Sequence, residues 1–320
     1  TQGVSSAASD VYKRQFMWFA ESAIDVAVVE VGLLGRYDAT NVCEADVAVI
    51  TNIGKDHTDG LGEWEQAIAT EKAGIITGGS TLVTGVESPE LRAIFEAEGP
   101  QRTFVTGEDF RVLSDRPAVG GHLVDLRTPF RSYEDLLIPL HGGHQAENAA
   151  IAVVAVESFF DRELDESIVR DALGSVTMPG RFEVVAHSPL LVLDGAHNPA
   201  GARAAATTLR DEFDVSGRRV LVLGMLSGRD IVEMLECFQV RDADLVITCT
   251  PRSPRAIPAS DLASVARAMG VLVEQIDDVV TAVQRAIDIS TEDDVILVAG
   301  SLYVAGAARD YVESILRRAD

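Results

Sequence analysis

LLVLDGAHNP, Leu190–Pro199, is the stretch whose reading decides the fold. Four apolar residues run into an acid, and Asn198 and Pro199 then suit the N-cap and first position of a helix. A buried strand therefore ends at Asp194 and a helix begins at Pro199. Working outward, RVLVLG (219–224), LVITC (245–249), VLVEQI (271–276) and DVILVAG (294–300) are further apolar runs separated by helical stretches. Buried parallel strands crossed by helices read this way. Upstream, Pro179 and Gly180 break the helical pattern within MPGRFE (178–183), and a domain boundary is expected between residues 182 and 183.

The N-terminal half carries the same α/β signature more loosely. Asp25–Val31 and Asp46–Thr51 are short β-branched runs leading into Gly-containing loops, and Trp64–Ile75 has helical spacing. Strands are expected at Thr81–Thr84 and Thr103–Val105 around a helix near Pro89–Glu98, and less regular strands across Phe110–Leu140. After LHGGHQAENAA (140–150) come an apolar helix and a second helix near Glu166–Leu173. The first fifteen residues, TQGVSSAASDVYKRQ, show neither alternation nor helical periodicity and read as a non-native or disordered start. Residues 16–182 and 183–320 then form two domains, in keeping with about 150 residues per core.

Lys and Arg total 27 against 50 Asp and Glu, and the formal charge of -23 argues against a surface that neutralises nucleic-acid phosphate or anionic lipid. No apolar run approaches the roughly 20 residues of a membrane span, and no secretory signal is visible. Cys43, Cys237 and Cys249 lack metal-ligand spacing and even pairing, which fits reduced thiols in a cytoplasm.

Several residues are candidates for chemistry. Glu30 interrupts the apolar run VAVVEVG, and His57 follows the next strand; ligands of open parallel sheets sit at such carboxyl ends. A carboxylate is a natural Mg2+ ligand and a histidine an unusual one. Read from residues alone, Glu30 is equally a hydrogen-bonded strand-end acid and His57 a loop-stabilising histidine. Lys72 reads as a solvated helical lysine. Asp194 sits where an acid can hold a ribose hydroxyl, and His197 stands at a helix entrance that favours phosphate; both also suit structural caps. Arg181 has the guanidinium geometry for a phosphate or for a surface ion pair. His144 and Asn148 share a helical face, and an asparagine can read an adenine edge or sit buried. No G-x-x-x-x-G-K-[ST] loop occurs in the chain, and GLLGR (32–36) has the wrong spacing.

In chain order, EVGLLGRYDATNV (30–42), TNIGKDHTDGLG (51–62), EKAGI (71–75), HQAENAA (144–150), PGRFE (179–183), DGAHNP (194–199) and GSLYVAG (300–306) resemble the folylpolyglutamate synthase and dihydrofolate synthase family of the Mur ligase superfamily. The resemblance runs from about Phe16 to the C-terminus. It implies a Mur ligase-like central ATPase domain, lacking its phosphate loop, followed by a Rossmann-like C-terminal domain. It further implies an ATP-dependent ligase that joins L-glutamate to dihydropteroate or a folate through an acyl phosphate. Carried over, Glu30 and His57 bind magnesium, with two ions expected, and Lys72 is the lysine carbamylated in this superfamily. Asn148 becomes an adenine-side contact, Arg181 a phosphate contact, and Asp194 and His197 nucleotide contacts. Arg229 and Ser301 become substrate contacts.

Three departures qualify the resemblance. The phosphate loop belongs upstream of Phe16, so a chain truncated there is expected to be inactive. Leu34 replaces the second glycine of the family's GLGGR turn, and since leucine disfavours positive φ the loop is expected to shift. GMLSGRD (224–230) has Gly228 and Arg229 in place of an Asp-Lys pair. A peptidoglycan-type Mur ligase and a non-catalytic remnant or binding protein are the alternatives. A nicotinamide oxidoreductase is disfavoured, because no G-x-G-x-x-G follows a strand. A cytoplasmic monomer is the expected form.

Overall fold

A computed structural model describes residues 6–54 and 62–319. Its contacts divide the chain into two units. The first holds the described residues up to Val112 with Leu126–Ser132 and Glu147–Asp165; the second holds Leu113–Asp125, Tyr133–Ala146 and the described residues from Glu166 onward. This division does not follow a single cut at residues 182/183, because two stretches before it gather with the C-terminal half.

In the first unit, β1 (Val47–Ile50), β2 (Thr81–Thr84) and β3 (Arg102–Val105) form a parallel sheet in that order, with Val47 opposite Thr81 and Thr81 opposite Arg102. Helices α2 (Trp64–Ala73) and α3 (Pro89–Glu96) cover it, burying Ala48, Ile50, Ala69, Leu82, Leu91 and Phe95. Ser88 caps α3 through Leu91 N–H, with Pro89 opening the helix. Two expectations change here. The run Asp25–Val31 is not a strand, and Val28 is 97% exposed. Its β-branched residues favour extension, but a strand also needs a backbone neighbour, and the sheet comprises β1, β2 and β3 alone among the described residues. Conversely, Ser6–Glu21 forms helix α1 despite lacking a clean periodic pattern. Its Ala, Lys, Arg, Gln, Met and Glu residues favour a helix by propensity.

The GLLGR loop docks on the C-terminal end of α2. Arg36 N–H donates to Glu71 O at 2.8 Å, the Arg36 guanidinium reaches Thr70 O and the Glu98 carboxylate, and Asn41 Nδ2 donates to Arg36 O and Gly74 O. Leu34 takes φ 58, so the leucine does enter the left-handed region expected to exclude it. Such a conformation costs an L-residue about 1–2 kcal/mol, and the loop's hydrogen bonds hold it there. Close approach also fixes the neighbouring glycines. A Cβ on Gly35 would stand 2.8 Å from Glu71 O, and one on Gly74 would overlap Arg36 Cα and Cβ.

In the second unit, β7 (Glu183–His187), β8 (Leu190–Leu193), β9 (Arg219–Leu223), β10 (Leu245–Thr248), β11 (Val273–Gln275) and β12 (Val295–Ala299) form a sheet ordered β11-β10-β9-β12-β8-β7. All pairs are parallel except β7 with β8. Helices α6 (Pro199–Glu212), α7 (Ile231–Cys237) and α8 (Ala259–Ala268) cover one face, packing on Val192, Leu221, Val246 and Leu297. Helices α9 (Val279–Ile289) and α10 (Leu302–Ala319) cover the other, on Leu193, Val222, Ile247 and Val298. Alternate strand residues thus serve opposite faces, the doubly wound arrangement that the apolar runs predict. Earlier in the chain, with residues divided between the two units, come a sheet ordered β4 (Arg111–Ala118), β5 (Gly121–Arg127), β6 (Ser132–Ile138), then α4 (His144–Phe160), most of which belongs to the first unit, and α5 (Glu166–Gly174). The apolar helix expected after HQAENAA in fact starts at its histidine.

At the amino ends of β9 and β12, Asp294 is nearly buried and accepts from Arg218 N–H at 2.6 Å, Thr291 N–H at 2.8 Å and the Arg218 guanidinium at 2.8 Å. Burial opposes its charge, but these donors outweigh it and pull the carboxyl down from 3.8 to about 2. A depressed folded-state pKa means that this stabilisation is present above 3.8 and is lost as pH falls through about 2. Asp294→Asn should therefore flatten the pH dependence of unfolding midpoints between those values, and a wild-type slope would contradict the assignment. Gly74→Ala should cost about 1–3 kcal/mol in urea unfolding through overpacking. Gly79→Ala, where a Cβ meets nothing, should stay within about 0.5 kcal/mol; equal effects of the two would mean that the Arg36 loop does not seat as described.

Candidate functional site

The site grows from the carboxyl end of β8. Asp194 N–H continues the ladder to Val298 O at 2.9 Å, and the residue is 9% exposed. Oδ1 accepts Ala196 N–H at 2.6 Å, a turn that bends the chain toward α6, and Oδ2 accepts Phe182 N–H at 2.7 Å. Burial pushes the carboxyl pKa up, and the two N–H donors with Arg181 and His197 only partly offset it. Gly195 N–H donates to Gly180 O at 2.6 Å, while Gly180 N–H reaches Glu183 Oε2 and Glu183 pairs with Arg309 at 3.1 Å. The PGRFE segment is thereby stitched to the strand end, which delivers Arg181.

Asn198 then caps α6, its Oδ1 accepting Gly201 N–H at 2.8 Å, with Pro199 in the first turn. The face of α6 that follows is built of small residues, Gly201, Ala204, Ala205 and Thr208. Together with His144, Gln145, Arg181, Phe182, Asp194 and Ala196 it lines a cavity of about 80 Å³. The rim presents a guanidinium, an imidazole, a buried carboxylate and a helix N-terminus, a set suited to a phosphate-bearing ligand with hydroxyls. Packing on its inner side holds the His144 pKa down, Glu212 opposes this, and Arg181 and His122 reinforce it. A neutral imidazole can both donate and accept.

Of the residues singled out in the sequence, Asp194, Arg181 and His144 line this cavity, and His197 stands beside it with Nδ1 3.0 Å from Gly195 O. Arg229 joins them, its Nε donating to His197 O at 3.2 Å. Ser301 is 1% exposed, and its hydroxyl accepts Val304 N–H at the start of α10. In the first unit, Glu30 is exposed in a segment without regular structure, not at a strand end. Lys72 is half-buried in the last turn of α2, and Asn148 is exposed on α4. His57 lies outside the described residues. Among the described residues no group of three or more His, Cys, Asp or Glu is placed to hold a metal ion, so of the two expected ligands the structure positions Glu30 alone.

Sequence reasoning missed an ionic cluster behind the cavity, in which His122 is buried, Glu212 and His141 are half-buried and Asp115 is exposed. His122 Nδ1 lies 2.5 Å from Asp115 Oδ1, and its Nε2 lies 3.0 Å from Glu212 Oε1, off the line of a hydrogen bond. His141 Nδ1 lies 3.0 Å from Glu212 Oε2, and Gly142 N–H donates to Glu212 Oε1 at 2.7 Å. Glu212 reads in sequence as a surface acid at a helix end. The one available signal was three histidines within 23 residues, His122, His141 and His144, of the six in the whole chain.

A Mur ligase middle domain matches residues 9–156, and a Mur ligase glutamate ligase domain matches residues 180–302. The first match begins before Phe16. The dihydrofolate synthase/folylpolyglutamate synthase of Mycobacterium tuberculosis is 39% identical over 92% of the chain, which spans 66% of that relative, just under two thirds of its length. The solved structure of M. tuberculosis folylpolyglutamate synthase complexed with ADP and AMPPCP superposes with a TM-score of 0.86 at 38% identity, over 93% of this chain and 70% of that one. The bifunctional folylpolyglutamate synthase/dihydrofolate synthase of Yersinia pestis, complexed with AMPPNP and Mn ion, gives 0.81 at 32% identity, over 93% and 68%. Fold and site thus define a Mur ligase-type α/β protein. Within that class, the chain belongs to the folylpolyglutamate synthase/dihydrofolate synthase family.

Replacing Asp194 by Asn should cost about 1–3 kcal/mol, because the new NH2 group faces either Phe182 N–H or Ala196 N–H. Urea unfolding measures it, and an unchanged midpoint would show that the two bonds are not made.

Proposed function

We propose that the chain carries most of an ATP-dependent amide ligase that joins L-glutamate to dihydropteroate, to folates, or to both. The observation that supports this best is the cavity at the β8 end, where Arg181, Asp194 and His144 converge in a chain of this family. In this reading the small-residue face of α6 admits a nucleotide, Asp194 holds a ribose hydroxyl, and Arg181 and His197 hold phosphate oxygens. Asn148 makes the adenine-side contact. The pteroate or folate carboxylate attacks the γ-phosphate, ADP leaves, and the amine of glutamate displaces phosphate from the acyl phosphate. Arg229 holds a glutamate carboxylate through its paired N–H groups. Ser301 is a second contact to that substrate.

Glu30 and His57 are the residues that would hold magnesium, and the ion supplies charge neutralisation for the transferring phosphoryl group. Two ions and a carbamylated Lys72 belong to the same reading. The free thiols and the absence, among the described residues, of a helix long and apolar enough to cross a membrane fit a cytoplasmic enzyme, taken as a monomer. The relatives whose structures hold ADP, AMPPCP, AMPPNP and Mn support the ligand classes.

A second reading, a non-catalytic binding protein, is favoured by one observation, the absence of G-x-x-x-x-G-K-[ST] from the sequence. The chain extended upstream to the length of its relatives, given ATP, Mg2+, glutamate and either dihydropteroate or tetrahydrofolate, should release ADP only when both acceptor and glutamate are present. The 320-residue chain should not. Glu30→Gln and His57→Ala should abolish the metal-dependent turnover of the extended chain. Its failure to release ADP with either acceptor would favour the binding protein.

A further inference from the structure

The Asp115–His122–Glu212–His141 cluster touches no part of the cavity surface, yet both walls of that cavity lead back to it. Glu212 ends α6, one helical turn beyond Thr208, so the acid and a cavity-lining residue share a face. Its Oε1 accepts Gly142 N–H, two residues before His144. Gly142 itself is pressed against the wall: it takes φ 102, and a Cβ there would stand 2.5 Å from His144 Cε1 and 2.9 Å from Thr208 Oγ1. A second line runs through Oε2. It holds His141 Nδ1, and the His141 ring packs on Phe213 at 4.9 Å and on Phe182 at 6.0 Å, with Phe182 and Phe213 5.6 Å apart. Phe182 N–H is one of the two donors to Asp194.

We propose that Glu212 is a positioning residue for this cavity, setting His144 through Gly142 and Asp194 through His141 and Phe182, and that His122 locks it in place by bridging Asp115 and Glu212. The proposal rests on the nucleotide reading of the cavity only for its effect on turnover; the mechanical link stands on the geometry alone. The lock is ionic. Burial works against a charged His122, but Asp115 and Glu212 outweigh it and raise its pKa. Burial likewise opposes a charged Glu212, and His141, His122 and Gly142 N–H outweigh it and lower its pKa. The charged or titratable groups that face the pair are Asp115, His141, His144 and, through His144, Arg181. With the His122 pKa raised, its contribution is full below the ordinary value of 6.5 and is lost as pH rises through the folded value. With the Glu212 pKa lowered, its contribution is present above 4.5 and is lost as pH falls through the folded value.

The test is amide hydrogen exchange at Gly142–Gln145 in the ligand-free 320-residue chain, with the His122 ring titrated by NMR in the same samples. In the wild type, protection relative to intrinsic exchange should fall as pH rises through the His122 titration. Glu212→Ala should lose about tenfold or more of that protection below it. Glu212→Gln keeps an acceptor for Gly142 and should stay protected but lose the step, a split that a purely structural role does not produce. Unchanged protection in the Ala variant, or a step retained in the Gln variant, overturns the proposal; if the Ala variant does not fold, the wild-type step and the Gln variant decide it. In the extended, active chain, Glu212→Ala assayed below the His122 titration should raise the KM for ATP about tenfold relative to wild type with kcat changed by less than about threefold, and Glu212→Gln, which keeps the acceptor, should restore the KM to within about threefold of wild type. Lost protection with an unchanged KM would leave the link intact and overturn the nucleotide reading instead.

Discussion

A carboxylate taken out of water must be given donors, and the second unit is arranged around that requirement at Asp194. Its two oxygens accept from residues on either side of β8, Phe182 before it and Ala196 after it. One buried acid thus fixes the approach of the PGRFE segment, the end of the strand and the turn into α6. The neighbouring glycines follow from the same crowding: Gly195 N–H lies 2.6 Å from Gly180 O, and Gly224 and Gly300 let the ends of β9 and β12 pass where a Cβ on Gly300 would meet Gly224 O at 2.6 Å. The apolar alternation of the strands stabilises the sheet, but the donors to Asp194 decide what its edge presents.

Much of this was legible because it is local. LLVLDGAHNP specifies its strand, its acid and its N-cap within ten residues, and the structure places each as read. The doubly wound sheet was legible for the same reason, since each apolar run carries its own periodicity. Strand pairing is not local. Asp25–Val31 has the composition of a strand but no neighbour, while α1 forms on propensity with little pattern to announce it. Leu34 marks another limit: residue preference correctly identified a costly φ, but whether a chain bears that cost depends on loop contacts that sequence does not show.

The site was legible in proportion to motif density. Asp194, Arg181, His144 and His197 sit in the short motifs DGAHNP, PGRFE and HQAENAA and come together, with Arg229 at their edge. Ser301, at the start of α10, also accepts a capping bond from Val304 N–H, which the motif alone does not show. The Glu212 cluster escaped notice because its members lie up to 97 residues apart, from Asp115 to Glu212, and each alone resembles a surface charge. Buried charge pairing is a property of the assembled fold.

That separation has a temporal side. The second unit is sewn from Leu113–Asp125, Tyr133–Ala146 and the chain from Glu166, with residues of the first unit threaded between them. During synthesis, His122 and His141 emerge well before Glu212, so their partner is absent while the ribosome makes about seventy further residues, some 4–14 s at common elongation rates. For that interval His141 lacks its acid and His122 has Asp115 alone, and the first unit has time to condense. The native cluster can close only after α6 has left the exit tunnel, which makes this knot of charge a late checkpoint in the birth of the protein.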